Sequence, residues 1–177
     1  IAPAISARCR WPRGAATRML RAMASYRTGP SPDQGRPAPT THEATVGSPL
    51  SVFLVDDHAP YRQCLKALMA ADAGLRIVGE ARLATEALAA AGRCAPAPLA
   101  DVVLLDVAMP GMNGVTLARR LCQLAPASRL LALSMHDDAS VVTAMLAAGA
   151  SGYLVKSDPL PEMLLAVRTV AGGATYL

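Results

Sequence analysis

Five polar residues stand where apolar runs stop. Asp56 and Asp57 follow Leu50–Val55, Asp106 follows Asp101–Leu105, Ser134 closes Arg129–Ser134, and Lys156 follows Gly152–Val155. Three carboxylates brought together repel one another, and one would keep its proton unless a cation relieved the repulsion. The oxygen-only donor set, with no His or Cys at ligand spacing, suits Mg²⁺ better than Zn²⁺. A carboxylate in such a site can attack phosphorus. The metal and the Lys156 ammonium would neutralise the phosphoryl oxygens, and the Ser134 hydroxyl could bond one of them. The product would be an acyl phosphate on Asp106. Taken singly, an Asp after a strand is an ordinary turn or helix cap, and a lone Lys or Ser is a solvated or satisfied group. The combination, in this order, points to chemistry.

These residues need elements to gather them. Apolar, β-branched runs predict strands at Leu50–Val55, Leu75–Gly79, Asp101–Leu105, Arg129–Ser134 and Gly152–Val155. Helical spacing predicts helices at Pro60–Ala71, Thr85–Arg93, Gly114–Leu124, Asp138–Ala148 and Leu160–Ala171, with Leu65, Leu68 and Met69 as core positions and Thr85 as an N-cap. Strand and helix alternate five times. The nearly continuous apolar runs of Ser51–Val55, Val102–Leu105 and Leu130–Leu133 suit strands buried on both faces of a parallel sheet. Right-handed crossovers then bring all five strand ends to one edge, where α/β sheets bind ligands.

Composition divides the chain. Residues 1–47 hold seven Arg against Asp33 and Glu43, and are rich in Pro, Ser, Thr and Gly. They are expected to be a disordered basic extension, better explained by translation upstream of a start such as Met19 or Met23 than by targeting. Residues 48–172 are the expected folded domain, and 173–177 the start of a linker. Residues 48–177 hold ten Lys and Arg against eleven Asp and Glu, so the basic balance of the whole chain gives the folded part no nucleic-acid signature. Cys9, Cys64, Cys94 and Cys122 form no CxxC pair and are expected to stay reduced. No apolar run is long enough to span a bilayer. The expected location is cytoplasmic. Aromatics make up 3% of the chain, so the core must be built from Ala, Val, Leu and Met.

Longer motifs carry a resemblance. Leu54-Val55-Asp56-Asp57-His58, Leu104-Leu105-Asp106-Val107-Ala108-Met109-Pro110-Gly111-Met112-Asn113-Gly114, Leu133-Ser134-Met135-His136-Asp137-Asp138 and Gly149-Ala150-Ser151-Gly152-Tyr153-Leu154-Val155-Lys156 resemble receiver domains of bacterial two-component response regulators. Asp-Asp-His, Met-His-Asp-Asp and Gly-Ala-Ser-Gly-Tyr-Leu resemble the NarL/FixJ (LuxR-type) branch. The resemblance runs from about residue 50 to 177 and implies a flavodoxin-like (βα)5 doubly wound sheet of strand order 2-1-3-4-5. It implies that Asp106 is the phosphoacceptor, that Asp57 binds Mg²⁺ directly, and that Asp56 holds it partly through water. Ala108 would add its backbone carbonyl to the metal. Lys156 and Ser134 would contact the phosphoryl group, and Tyr153 would be the aromatic switch that turns inward as Ser134 moves. His58 and His136 are read as loop residues with no part in this.

The partners implied are a sensor histidine kinase as phosphoryl donor and a second copy, in a homodimer formed on activation. The surface changed would be the fourth helix, fifth strand and fifth helix. The parent protein would regulate transcription through a helix-turn-helix domain for which no recognition helix is found in residues 48–177, and truncation or a fragmentary gene would account for that. Many receivers carry Pro after the Lys; here Ser157 and Asp158 follow, so no cis peptide is expected there. Two rivals remain. One is a phosphorylation-independent interaction module, against which the complete acid, Ser and Lys set argues. The other is a haloacid-dehalogenase-like phosphatase, which would usually place a second Asp where this chain has Ala108. On the first-ranked reading the chain modifies only itself and is no enzyme in the usual sense.

Overall fold

The computed structural model describes residues 48–177. The expectations for residues 1–47, Cys9 included, lie outside the described residues. Ten elements alternate along the chain: β1 (Leu50–Val55), α1 (Ala59–Ala70), β2 (Leu75–Ala81), α2 (Ala84–Cys94), β3 (Val102–Asp106), α3 (Gly114–Leu124), β4 (Arg129–Ser134), α4 (Ala139–Ala147), β5 (Gly152–Val155) and α5 (Leu160–Ala171). The strands form one sheet in the order β2-β1-β3-β4-β5. Every neighbouring pair is parallel. This is the expected flavodoxin-like (βα)5 arrangement.

The period of two along the strands divides the core between the two faces. Val52, Leu54, Val102, Leu104, Leu131, Leu133 and Leu154 pack with Leu65 and Met69 of α1 and with Met163, Ala166, Val167 and Val170 of α5. Val55, Val103, Leu105 and Ala132 point the other way, onto Ala87 and Ala91 of α2, Leu117, Ala118 and Leu121 of α3 and Met145 of α4. The alanine stripe of α2 lets that helix lie close to the sheet. Phe53 and Tyr153 are the aromatics of the buried core. Leu68, expected in the core, is only partly buried at its margin.

Local chemistry sets several boundaries differently from the sequence reading. β2 runs on to Ala81 because its ladder with β1 continues to the pair Val55–Ala81. Thr85 is not the N-cap of α2. That helix starts at Ala84, with extended Leu83 before it. The Glu86 carboxylate does the capping instead, accepting from the backbone N–H groups of Arg82 at 2.7 Å and Leu83 at 3.3 Å. α3 and α4 follow the usual rule: Asn113 accepts from Val115 N at 2.8 Å and Asp138 from Ser140 N at 2.8 Å. Asp138, expected inside the helix, is thus its cap.

Glycine is required where the turn after β3 meets α3. A Cβ on Gly114 would lie 2.5 Å from the Val107 carbonyl oxygen. The start of α3 is therefore pressed onto the loop that leaves Asp106. The described cysteines, Cys64, Cys94 and Cys122, are free thiols. The cis peptide among the described residues is Ala95–Pro96, not the bond after Lys156. Tyr176 is held at the sheet edge: it bridges to Gly152, and Tyr153 N donates to its carbonyl at 2.9 Å.

Candidate functional site

The carboxyl ends of β1, β3, β4 and β5 share one rim, and the polar residues stand on it. Asp56 leaves β1 with its N–H still on the Ala81 carbonyl of β2 at 3.1 Å. Its carboxylate is divided. Oδ1 accepts from His58 N at 2.7 Å, and Oδ2 accepts from Lys156 Nζ at 2.7 Å. Asp106, the last residue of β3, is held alike. Oδ1 accepts from Ala108 N at 2.9 Å, and Oδ2 accepts from Lys156 Nζ at 2.6 Å. Asp56, Asp106 and the Lys156 side chain are all at most 7% exposed. Asp57 is exposed, and among the described residues no hydrogen bond or ion pair engages its carboxylate.

One carboxylate oxygen from each of Asp56, Asp57 and Asp106 lies within 4.8 Å of the others. A single ammonium faces three carboxylates, so the rim keeps an excess of negative charge. That excess, with hard oxygen donors alone, fits a divalent cation of the Mg²⁺ type.

Ser134 and Tyr153 are joined through the loop after β4. Ser134 Oγ accepts from His136 N at 3.2 Å, while the Tyr153 hydroxyl donates to the His136 carbonyl at 2.8 Å. Lys156 N donates to the Ser134 carbonyl at 2.7 Å. Tyr153 is 5% exposed, so its ring lies inside. Ala108 is exposed, with its N–H on Asp106. His58 and His136 enter through their backbones, which the sequence reading missed.

Two residues of α1 were also missed. The Lys156 ammonium sits over the Tyr61 ring, 4.8 Å from its centroid. Burial, and then the negative charge of Asp56, push the Tyr61 hydroxyl well above its ordinary range. Arg62 is 4% exposed. The available signal was spacing: Arg62 shares the buried stripe of α1 with Leu65 and Met69, and an arginine on an apolar stripe needs a partner.

The response regulator receiver domain model matches residues 52–168 of the 177. The chain belongs to the response regulator receiver family. Among the curated relatives of this receiver, the DNA-binding transcriptional activator DevR/DosR of Mycobacterium tuberculosis is 40% identical over 128 residues, which is 72% of this chain and 57% of the relative. Among solved structures, the signal receiver domain of the putative response regulator NarL from Mycobacterium tuberculosis is 32% identical. It superposes with a TM-score of 0.65 over 71% of this chain and 98% of that one. The CheX–CheY–BeF3–Mg²⁺ complex from Borrelia burgdorferi is 27% identical, with a TM-score of 0.64 over 70% of this chain and 90% of that one. The curated relatives are of the NarL/LuxR type, as the motifs implied. The chain spans little more than half the length of the curated relatives it matches. Receivers are signalling modules rather than enzymes with separate substrates. No described helix is long and apolar enough to cross a membrane.

Proposed function

We propose that Asp106 is the phosphoacceptor of this receiver and that a histidine kinase is its donor. The carrying observation is the Lys156 ammonium shared between Asp56 and Asp106 at 2.7 and 2.6 Å, inside the three-acid cluster. Asp56, Asp57 and Asp106, with the Ala108 carbonyl, would hold Mg²⁺. When bound, that ion supplies positive charge to the transferring phosphoryl oxygens. The BeF3–Mg²⁺ complex of the Borrelia relative supports this choice of ion.

In the transfer, an Asp106 carboxylate oxygen forms a bond to phosphorus as the phosphorus–nitrogen bond to the donor imidazole breaks. Lys156 already touches Asp106, so it can follow the charge onto the phosphoryl oxygens. The Ser134 hydroxyl, at the end of the adjacent strand, offers a hydrogen bond to one of them. Any shift of Ser134 pulls on His136, and through His136 on the Tyr153 hydroxyl. That is a route from the rim to β5. Phosphate shifts the population only by its unequal interaction with the two states. In the intact protein the output would be transcription regulation, in the cytoplasm, with activation favouring a homodimer.

Incubation with Mg²⁺ and a small acyl phosphate should add one phosphoryl group, read by intact mass. The adduct should be base-labile and absent from Asp106→Asn. No adduct on the wild-type chain, or an undiminished one on Asp106→Asn, refutes this reading and favours the phosphorylation-independent module.

A further inference from the structure

The Asp56 carbonyl lies where β1 leaves its ladder. A backbone oxygen buried there must find a partner from elsewhere. The partner is Arg62, whose Nη1 donates to it at 2.6 Å. Arg62 Nε reaches the other way, to Glu80 Oε2 of β2 at 3.3 Å. Lys66, one turn further along α1, grips Glu80 as well, at 3.0 Å. Its hydrogen bond, more than any other contact, holds the Glu80 carboxyl below its usual range.

A buried guanidinium is costly unless paired and hydrogen-bonded. On the apolar stripe of α1, a Leu or Met would fill the same space without that cost. What Arg62 adds is a fork between a fixed strand and the peptide joining Asp56 to Asp57. Asp56 is bound at every other polar group: N–H to Ala81, Oδ1 to His58, Oδ2 to Lys156. The Asp57 carboxylate has no such support, so its place depends on the backbone that carries it.

We propose that Arg62, anchored on Glu80, is a positioning residue that sets the Asp56–Asp57 peptide so that both carboxylates face the cation site. The inference rests on reading the rim as a Mg²⁺-dependent phosphoacceptor. Arg62 touches neither metal nor phosphoryl group. It acts on the carbonyl between two ligands, and groups that orient ligands typically alter metal affinity by about 10–100-fold.

The test is direct calorimetric titration of Mg²⁺ into the full chain, with melting temperature and phosphoryl incorporation at saturating Mg²⁺ measured alongside. Arg62→Met should weaken Mg²⁺ about tenfold and recover most incorporation once Mg²⁺ saturates. Arg62→Lys, which keeps charge but not the fork, should fall between. Glu80→Gln, which leaves the guanidinium on Asp56 but loosens its anchor, should weaken Mg²⁺ by about threefold, short of the range for direct loss, and it carries the test if Arg62→Met does not fold. Wild-type Mg²⁺ affinity in folded Arg62→Met, or in Glu80→Gln, overturns the proposal, whatever happens to the melting temperature. A wild-type chain that binds no Mg²⁺ overturns the underlying reading too, so the two failures are distinguishable.

Discussion

At the amino edge of the sheet, Ser51, Asp101 and Ser128 pair off with groups beside them; at the opposite edge, Asp56 and Asp106 find partners too, but the Asp57 carboxylate beside them has none among the described residues. Asp101 Oδ2 accepts from Ser51 N at 2.7 Å and Ser51 Oγ at 2.6 Å, and Asp101 N donates back to Ser51 Oγ at 2.9 Å. Ser128 Oγ accepts from Leu99 N at 3.0 Å and Ala100 N at 3.3 Å. One acid there meets three matching contacts. At the carboxyl edge one ammonium is shared by Asp56 and Asp106, with the Asp57 carboxylate close by. Both clusters tie strand ends together, but only the second leaves a carboxylate, that of Asp57, without a hydrogen-bond or ionic partner among the described residues. Polarity that closes on itself serves the fold, whereas polarity left open is available to a ligand.

The largest expected effect lies at the open edge. Mg²⁺ at a hundred times its Kd should raise unfolding free energy by about 2.7 kcal/mol if it binds the folded state alone. Asp57→Asn, at an exposed site, should abolish that gain, as read by urea titration with and without Mg²⁺. A gain that survives Asp57→Asn would break the contrast. Next comes the closed edge. Ser128→Ala strands two backbone N–H groups and should cost about 2 kcal/mol, with Mg²⁺ affinity unchanged. A smaller effect has the opposite sign: without Mg²⁺, Asp57→Asn should stabilise the fold by about 0.5 kcal/mol, because it removes one like charge.

The smallest effect is acid sensitivity. The Ser51 hydroxyl and N–H hold the Asp101 carboxyl below its usual range. A depressed folded pKa gives stability that is fully present above the ordinary carboxylate value of about 3.9 and lost as pH falls through the folded value. Asp101→Asn should flatten the stability–pH curve in that acid window and leave the neutral region parallel to wild type. Denaturant midpoints measured down through the window check it.

The rim residues were legible because residue type and position coincide there: an acid, hydroxyl or ammonium ending an apolar run is visible without coordinates. Strand order came with the family resemblance, not with the periodicity. Thr85 misled because a good N-cap residue sat beside a helix start that Glu86 caps from inside. Tyr61 and Arg62 were passed over because they read as parts of an amphipathic helix, and their partners, Lys156, Asp56 and Glu80, lie on other elements.

The sequence alone determined that five strands and five helices alternate, that the central strands are buried on both faces, and which polar groups end four of the strands. Those properties follow from periods and side-chain types within a few residues. Only the tertiary structure decided that Lys156 bridges Asp56 and Asp106, from 100 and 50 positions away. It alone showed that His136 links Ser134 to Tyr153, and that Arg62 donates to the carbonyl between two acids. Such contacts depend on how separate strands and helices pack, and no local pattern encodes the distance between side chains on different elements.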